Sequence, residues 1–507
     1  MEYILRMKVL LPALNDTYHI DVISTLIKKG VAIDYLLTHR QDELKKLPEF
    51  AKTDILDETQ FQYAYKVAHI NKNNPESFDE KFIKDHRELE STFLAITDRL
   101  SFYPKTVHER KRIYYELLLY WFHFLKKHAI TTIFFLYVPH LGYDNIIYAL
   151  AKYLYLDVFI MRDTLYHKIL LNTDFNATLD KVPQNFLNGL TMNQLKQKVG
   201  KDMLSMFFHT NELISFNIEL NKITMKQNTM GLLSVFDFQT WKSLFALLHN
   251  PFEKADGSFL FLEKPSRWLD SYWMIVLYSV KTRSLLKYYE TLVSPVDLSK
   301  KFIYFGLHYQ PERTTLPEGG IFEDQLLAID ILAKSVPKDW IVYVKEHPSQ
   351  LCRSDPRKMN FRDKAFYDKI VSYKNVKLIP MECSSQTLIQ YNQCAVTLTG
   401  SVGWESLTVG KPIIVFSRSA WYASCNSCYV VHSVKECTVA ISSIQTSTKI
   451  QVEKDVLTYL CYYKDKFLTG AFASEFTKNA KVSYSFLVED LAKELMKRIF
   501  RKKKNNS

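Results

Sequence analysis

The sequence predicts an α/β protein made of two Rossmann-like, doubly wound domains that face a cleft and are joined by a helical insertion. Short apolar runs alternate with segments of helical periodicity near the N-terminus, and the same alternation returns more regularly after residue 301. Residues 180–295 between them are less regular and carry mainly helical patterns. Alternating strands and helices are typical of parallel sheets covered by helices on both faces.

The N-terminal half predicts two β-α-β units. The first has strands at 8–12 and 32–38 around a helix at 20–29, followed by polar surface helices and loops over 41–90. The second follows a long helix at 108–128 and has strands at 131–137 and 157–161 around a helix at 145–155. Helical patterns in the insertion cover 236–249 and 267–292.

The C-terminal half predicts a second doubly wound sheet. Its strands are expected at 301–305, 340–345, 376–379, 395–398 and 412–416. Its helices are expected at 322–335, 361–371, 385–391 and 403–409, with a last amphipathic helix at 485–500. The predicted domains are therefore 1–180, an insertion and crossing at 181–295, a second domain at 296–450, and C-terminal helices with a basic tail at 451–507.

Charge and cysteine content narrow the class of protein. The net charge of +12 favours anionic partners, and part of it lies in the run Lys497-Arg-Ile-Phe-Arg-Lys-Lys-Lys504. That run predicts either a solvated tail or a weak hold on an anionic membrane surface. Basic residues are not interleaved with aromatics, so nucleic acid is not an expected partner. Cys425-x-x-Cys428 lacks a second pair, so no metal site is predicted.

The N-terminus has no signal-peptide pattern, and no apolar run is long enough to span a bilayer. Reduced cysteines fit the same expectation of a cytoplasmic protein, either soluble or peripheral to the membrane.

A turn of small residues separates a predicted strand from a helix at Thr399-Gly400-Ser401. Gly400 would let the backbone approach a phosphate, and the N–H groups that begin the helix bind anions. Glu405, one turn further on, is placed to accept hydrogen bonds from a ribose diol. An ordinary capped helix start, with Ser401 as the cap and Glu405 as its partner, fits the same residues.

Two further stretches follow predicted strands. Pro348 biases His347 towards an extended conformation that aims the imidazole at the ligand crevice, where Lys345 adds positive charge. The loop at 307–315 carries Gln310 and Glu312 and is long for a structural connection, which favours a functional loop. A satisfied structural histidine and a solvated surface loop are the plainer interpretations.

These stretches together resemble motifs of the bacterial capsule polysaccharide synthesis family, which includes β-Kdo transferases. The segments that carry the resemblance are Leu307-His-Tyr-Gln-Pro-Glu312, Val344-Lys-Glu-His-Pro348 and Thr399-Gly-Ser-Val-Gly-Trp-Glu-Ser-Leu407, with Pro139-His-Leu-Gly-Tyr-Asp144 in the N-terminal half. The His-Pro pair is also similar to that of bacterial sialyltransferases that use CMP-sugars. The resemblance implies the GT-B architecture and a glycosyltransferase.

The resemblance also implies roles for single residues. His347, Ser401 and Glu405 would hold the nucleotide, and Gln310 and Glu312 would lie near the donor sugar. His140 and Asp144 would face the reacting carbon, although Asp16, Asp21 and Asp163 are further acidic candidates in the N-terminal half and Asp144 also fits a helix cap. Lys345, Thr399 and Gly400 complete the set of predicted nucleotide-sugar residues.

The implied donor is a nucleotide sugar, with a CMP-sugar such as CMP-Kdo favoured, and the implied acceptor is a polysaccharide or glycolipid. No cofactor and no metal are expected, because no Asp-x-Asp pair follows a strand. Two alternatives use the same architecture: a nucleotide-sugar epimerase and a non-catalytic polysaccharide assembly protein.

Overall fold

The computed structural model describes residues 7–62, 78–100, 106–164, 166–175, 181–183, 185–208, 268–351, 360–478 and 482–500. The predicted helix at 236–249 lies outside these residues. The N-terminal part forms β1 (Val9–Leu11), α1 (Thr17–Lys28), β2 (Tyr35–Thr38), α2 (Gln41–Leu44), β3 (Asp54–Asp57), α3 (Glu58–Gln62), α4 (Glu80–Asp85), α5 (Arg87–Leu100), α6 (Val107–Lys127), β4 (Thr132–Phe135), α7 (Tyr143–Tyr153), β5 (Asp157–Asp163) and β6 (Lys168–Asn172).

The rest of the chain begins with helices. The elements up to the second sheet are α8 (Met192–Val199), α9 (Lys201–Phe208) and α10 (Trp268–Leu292). The second sheet and its helices are β7 (Phe302–Gly306), α11 (Gln325–Ser335), β8 (Ile341–Lys345), α12 (Lys364–Val371), β9 (Val376–Ile379), α13 (Ser385–Tyr391), β10 (Cys394–Thr397), α14 (Val402–Thr408), β11 (Ile413–Val415) and β12 (Cys428–Val430). The chain ends with α15 (Val434–Thr446), α16 (Lys449–Tyr463), β13 (Leu468–Thr469), α17 (Ser474–Thr477) and α18 (Tyr484–Leu495), which runs on as a π-turn over Met496–Phe500.

The chain divides into two compact units. The first contains residues 1–98, 105–177 and 463–507, and the second contains 99–104 and 178–462. The C-terminal residues predicted to form a separate segment from 451 therefore return to the first unit from residue 463. Apolar burial explains this return, because Leu487, Leu491 and Ile499 join the core of the first sheet and Tyr18 donates its hydroxyl to the Leu487 carbonyl.

The first sheet has the strand order β13-β6-β5-β4-β1-β2-β3. Its five strands from β5 to β3 are parallel, while β6 and β13 add two antiparallel strands at one edge. The second sheet has the order β12-β11-β10-β7-β8-β9 and is parallel throughout. The prediction of two Rossmann-like doubly wound domains is therefore confirmed, and the cleft between them stays a prediction.

The sequence missed strands at the sheet edges. β3 lies inside the region predicted as surface helices and loops. It was missed because it is short, only partly buried and has an aspartate at each end, Asp54 and Asp57. β12 adds a sixth strand to the second sheet, and β13 is only two residues long. Edge strands are short and only half covered, so they lack the apolar runs that identify central strands.

Candidate functional site

The second sheet has a topological switch point between β7 and β10. From β7 the chain proceeds outward to β8 and β9, and from β10 it proceeds in the opposite direction to β11 and β12. Ligands of open parallel sheets bind at the carboxyl ends of the strands at such a point. The loops that leave β7, β8 and β10 carry the eight predicted nucleotide-sugar residues, apart from Glu405 on α14 and Lys345 at the end of β8.

His308 joins the two loops at the switch point. Its Nε2 accepts hydrogen bonds from the backbone N–H of Leu398 at 3.1 Å and from the Thr397 hydroxyl at 2.7 Å. The proton of the neutral ring is therefore on Nδ1. Burial, with smaller contributions from the charges of His347 and Arg362, lowers the pKa of His308 to about 3. His308 is therefore a neutral structural contact between the β7 and β10 loops.

The structure gives a reason for glycine at position 400 that the sequence did not suggest. A Cβ at this position would lie 2.9 Å from the Thr397 hydroxyl oxygen and 3.3 Å from the His308 ring. The Gly400 carbonyl accepts a hydrogen bond from the Tyr422 hydroxyl at 2.5 Å. The missing side chain thus makes room for His308 within the protein, whereas the prediction assigned that room to a phosphate.

Gln310 is also used by the protein itself. Its side-chain oxygen accepts hydrogen bonds from Arg362 Nη1 at 2.6 Å and Gln325 Nε2 at 3.1 Å, and its amide nitrogen donates to the Glu323 carbonyl at 3.0 Å. Gln350 pairs with its backbone through two more hydrogen bonds. The predicted contact of the Gln310 side chain with the donor sugar is therefore not supported, because these partners hold both ends of its amide in the loop.

A buried ion pair holds the β7 and β8 loops together. Arg362 Nε and Glu346 Oε2 are 2.7 Å apart, and the two side chains are 1% and 0% exposed. Glu346 also accepts hydrogen bonds from the His347 N–H and the Tyr367 hydroxyl, both at 2.8 Å. Arg362 reaches the other loop through the His308 carbonyl at 3.2 Å. This pair fixes the backbone next to His347.

His347 is half-buried and its tautomer follows from its contacts. Nδ1 accepts a hydrogen bond from the Ser349 N–H at 3.2 Å, so Nε2 carries the proton in the neutral ring and is a donor. The ring centroid lies 5.7 Å from that of Tyr309. The predicted role of His347 at the nucleotide stays a prediction.

Lys345 and Glu405 lie near each other in this site. Lys345 donates to the Ser385 hydroxyl at 2.6 Å and to the Cys383 carbonyl at 2.8 Å. Burial raises the pKa of Glu405, against the opposing effects of a hydrogen bond from Ser401 at 2.9 Å and the charge of Lys345. Glu405 on the β10 side therefore lies within the electrostatic range of the Lys345 ammonium on the β8 side.

Thr399, Ser401 and Glu312 complete the predicted set. The Thr399 hydroxyl donates to the Thr314 carbonyl at 3.2 Å, while Ser401 is exposed and makes no capping hydrogen bond to the helix backbone. Glu312 is exposed and accepts a hydrogen bond from the Thr314 hydroxyl at 2.9 Å. The capping-box alternative for Ser401 and Glu405 is not what forms, because their side chains bond to each other.

In the first unit, Asp144 closes the loop that follows β4. Its carboxylate accepts hydrogen bonds from the backbone N–H groups of His140, Leu141 and Asn145 at 2.7–2.8 Å. These contacts hold the loop between β4 and α7. Asp144 is not the helix cap that the sequence left open, because α7 begins after Gly142 without a side-chain cap. The imidazole of His140 donates from Nδ1 to the Val138 carbonyl at 2.7 Å, so its Nε2 bears the lone pair in the neutral form.

The other acidic candidates have structural partners. Asp16 caps α1 and accepts hydrogen bonds from the backbone and hydroxyl of Ser474. Asp21 accepts a hydrogen bond from the Tyr484 hydroxyl at 2.6 Å, and Asp163 pairs with Ile169 in the β5-β6 hairpin. The residue that the sequence missed is Glu58, which lies fully buried at the end of β3.

Sequence reasoning also missed the residues that hold the site in place. Arg362, Glu346 and Gln325 are all buried and polar. Arg362 follows a polar stretch without a motif, so only its burial in the structure shows that it supports the site. Glu346 lies inside the Val344–Pro348 motif, but nothing in the sequence distinguishes an inward side chain from one that contacts a ligand.

Comparison with known proteins gives a family for part of the chain. Residues 319–425 match the family model described as capsule polysaccharide biosynthesis protein. The predicted resemblance is confirmed for this segment. The segment contains Lys345, His347 and the loop from Thr399 to Glu405. It begins at residue 319, so Gln310 and Glu312 lie outside it. The match to this biosynthetic family over residues 319–425 agrees with the prediction of an enzyme.

No curated protein matches the chain. Among solved structures, the chain is similar to a UDP-GlcNAc 2-epimerase from Neisseria meningitidis at 12% identity, with 97% of this chain and 100% of that chain covered and a TM-score of 0.25. A glycosyltransferase from Rickettsia africae has 11% identity, coverage of 97% and 100%, and a TM-score of 0.27. The beta Kdo 2,7 transferase KpsC from Thermosulfurimonas dismutans has 9% identity, coverage of 82% and 97%, and a TM-score of 0.28. Similarities at these TM-scores carry no argument about this chain.

The described residues contain neither a membrane-spanning helix nor a metal-binding cluster. No helix among them is both long and apolar enough to cross a membrane. No group of three or more His, Cys, Asp or Glu side chains among the same residues has an arrangement that would hold a metal ion.

Proposed function

We propose that this protein is a glycosyltransferase that moves a sugar from a nucleotide-sugar donor to a polysaccharide or glycolipid acceptor. One observation carries the proposal. Lys345, His347 and Glu405 converge at the carboxyl edge of one sheet, beside its switch point, and all three lie within the segment that matches the capsule polysaccharide biosynthesis family.

The proposed donor site uses polar side chains that lie at that edge of the sheet. His347 donates a hydrogen bond from Nε2 to a phosphate oxygen of the leaving nucleotide, and the ammonium of Lys345 adds positive charge. Glu405 accepts hydrogen bonds from the ribose, and Thr399 and Ser401 line the same turn. Glu312 lies near the donor sugar. Gln310 positions the loop and does not contact the donor.

A CMP-sugar such as CMP-Kdo is the favoured donor, and the transfer needs no cofactor and no metal. Leaving-group charge is then balanced by His347, Lys345 and backbone N–H groups. The favoured donor rests on the His347-Pro348 motif and its similarity to enzymes that use CMP-sugars.

The first unit supplies the group that receives the acceptor's proton. Of the two predicted residues, His140 has the chemistry of a base, since its Nε2 carries a lone pair. Asp144 contributes by fixing the loop that carries His140. The Asp144→Ala variant is therefore expected to lose stability of this loop in addition to activity.

A panel of CMP-, UDP-, GDP- and TDP-sugars tests the proposal. Binding is measured by calorimetry, and nucleotide release is measured with and without an oligosaccharide acceptor. We expect one class to bind, with release that depends on acceptor. Conversion of the bound sugar without acceptor would instead identify an epimerase, and the absence of binding by all four classes would leave a non-catalytic assembly protein.

Two variants separate the donor site from its surroundings. His347→Ala should weaken donor binding by about 1.5–3 kcal/mol, the value of a hydrogen bond to a charged group. Asp330→Asn, on α11 of the same unit and paired with Lys334, should leave binding unchanged. Equal binding by His347→Ala and the native protein would remove His347 from the donor site.

We also propose a cytoplasmic protein with a weak hold on an anionic membrane surface. Residues 501–504 of the basic run lie outside the described residues, whereas Lys497 and Arg498 pair with Glu494. Sedimentation with vesicles of anionic or neutral lipid, before and after removal of residues 501–507, tests this. Binding that is unchanged by the truncation contradicts a role for the tail.

A further inference from the structure

A second polar cluster lies at the carboxyl edge of the first sheet. Its members follow three neighbouring strands: Asn15 follows β1, His39 follows β2, and Glu58 follows β3. Tyr143 reaches the cluster from the start of α7, in the connection after β4. The strand order turns between β1 and β4, so the cluster lies beside the switch point of this sheet.

Glu58 is the centre of the cluster. Its side chain is completely buried, and it accepts hydrogen bonds from the Tyr143 hydroxyl at 2.7 Å and from Asn15 Nδ2 at 2.5 Å. A buried carboxylate is costly unless hydrogen bonds and a positive charge stabilise it. His39 lies beside it, with Nδ1 4.0 Å from Glu58 Oε2, and supplies a positive charge there when its ring is protonated.

His39 is held at its backbone and keeps an accessible ring. Its N–H donates to Asn15 Oδ1 at 3.1 Å, and the same oxygen accepts from the Thr38 hydroxyl at 3.1 Å. The His39 side chain is 29% exposed, while that of Glu58 is 0% exposed. The imidazole therefore has one nitrogen towards a buried carboxylate and part of its surface towards solvent.

A carboxylate behind an imidazole stabilises the imidazolium that forms when the ring accepts a proton. His140 lacks this support in its Nδ1 contact, because that nitrogen donates to a neutral carbonyl. Asp144 already accepts hydrogen bonds from three backbone N–H groups, which hold its carboxylate in the loop. Of these groups, His39 has the better arrangement for accepting a proton.

We infer that His39 is the proton acceptor for the acceptor hydroxyl and that Glu58 is its positioning residue, an inference that rests on the proposed glycosyltransferase function. The hydroxyl proton moves to Nε2 of His39 while an electron pair of the hydroxyl oxygen forms the bond to the anomeric carbon. The bond from that carbon to the nucleotide phosphate oxygen breaks, and its electron pair leaves with the nucleotide. The imidazolium then releases its proton to solvent.

Charged and titratable groups face His39 from several elements of the first unit. Glu58 and the Tyr143 hydroxyl bonded to it come from α3 and α7. Arg40, the next residue, donates to the Asn15 carbonyl at 3.0 Å and is itself paired with Glu43. Asp16 follows Asn15 on the β1 side and caps α1. Among these, only Glu58 lies within ion-pair distance of the ring in the described part of the chain.

A titration tests the pair without any substrate. The side-chain nitrogens of His39 are followed by NMR in ¹⁵N-histidine-labelled full-length protein, with His39→Asn used to assign the signal. Glu58→Gln should lower the pKa of His39 by about 1–3 units, the usual effect of an adjacent opposite charge. An unchanged pKa in a folded Glu58→Gln protein would overturn the pairing.

Transfer kinetics test the catalytic role with the donor that the panel identifies. His39→Asn should lower kcat by about 100- to 10,000-fold, the usual contribution of general base catalysis, and leave donor binding unchanged. Because the base acts in its neutral form, the acid limb of the kcat/KM profile should disappear in His39→Asn and move to lower pH in Glu58→Gln. Glu58→Asp, which restores the charge, should recover part of the rate.

His140→Asn and His128→Asn are the matched comparisons. His128 bonds to the Tyr35 hydroxyl at the end of α6, at the amino edge of the same sheet, and its replacement should leave transfer unchanged. Transfer that survives in His39→Asn and is lost in His140→Asn would overturn this inference and leave the proposed function intact. If the native protein transfers no sugar from any donor, the proposed function fails. Should Glu58→Gln not fold, His39→Asn and Glu58→Asp still decide the question.

Discussion

Replacing Arg362 by methionine removes the positive half of a buried ion pair while keeping a long side chain. Arg362 is 1% exposed, and it joins Glu346 to the His308 carbonyl and the Gln310 side chain. Its loss leaves Glu346, which is 0% exposed, with the Tyr367 hydroxyl and the His347 N–H as its remaining donors. The variant therefore measures how much free energy of unfolding is lost when a buried carboxylate loses its cation.

The expected loss of stability is about 3–5 kcal/mol, the usual cost of removing one partner from a buried pair. For a cooperative unit of this size, each kcal/mol lowers Tm by about 2–4 °C, so the transition should fall by roughly 6–20 °C. The two remaining donors on Glu346 place the expected value in the lower half of that range. The loops that carry His308 and His347 lose their common contact, so donor binding should weaken as well.

Differential scanning calorimetry measures this change, with separate transitions fitted for the two units because one two-state transition is not assured in a chain with two units. Lys334→Met is the matched control, since Lys334 pairs with Asp330 at 2.6 Å on an exposed face of the same unit. An exposed pair contributes about 0–1 kcal/mol, so the control should barely move the transition.

A double variant, Glu346→Gln with Arg362→Met, refines the interpretation. It leaves no buried charge, so it should be more stable than Arg362→Met alone. If Arg362→Met lowers the transition no more than Lys334→Met does, the buried pair does not hold these loops and the reasoning is refuted. If the double variant is less stable than the single one, the loss arises from packing and the charge argument fails.

Three further predictions concern single residues. Gly403→Ala should destabilise the second unit strongly in thermal melts, because the added Cβ would lie 2.1 Å from the Tyr422 hydroxyl oxygen; a melt like that of the native protein would contradict the tight packing of α14. The second unit should lose stability as pH falls from about 6.5 towards 3. In this range His308 binds a proton in the unfolded chain but not in the folded unit, where its pKa is lowered to about 3. The free energy of unfolding, measured in urea, should therefore depend less steeply on pH in His308→Asn than in the native protein. Asp144→Ala should destabilise the first unit by about 1–3 kcal/mol, because loop N–H groups lose their acceptor, and should leave donor binding unchanged; weakened donor binding in calorimetry would contradict this separation.

The central strands of both sheets were predictable because burial on both faces requires continuous apolar runs. The strand from Val376 to Ile379 and the helix from Ser385 to Tyr391 have the predicted bounds. Strands at the edges, such as β3 and β12, were missed because half-covered strands need no such run. The return of residues 463–507 to the first unit depends on contacts across more than 400 residues, which periodicity does not record.

The sequence by itself determined the class of fold and the loops in which the proposed site lies, since strand ends and small-residue turns follow from local patterns. Only the tertiary structure decided what each polar side chain does there. Gln310 and Gly400 serve the protein's own packing. Asp144 accepts hydrogen bonds from the loop before α7, and Glu58 is buried beside His39. The physical reason is that hydrogen bonding and burial depend on neighbours from other strands, and a motif specifies a side chain without specifying what surrounds it.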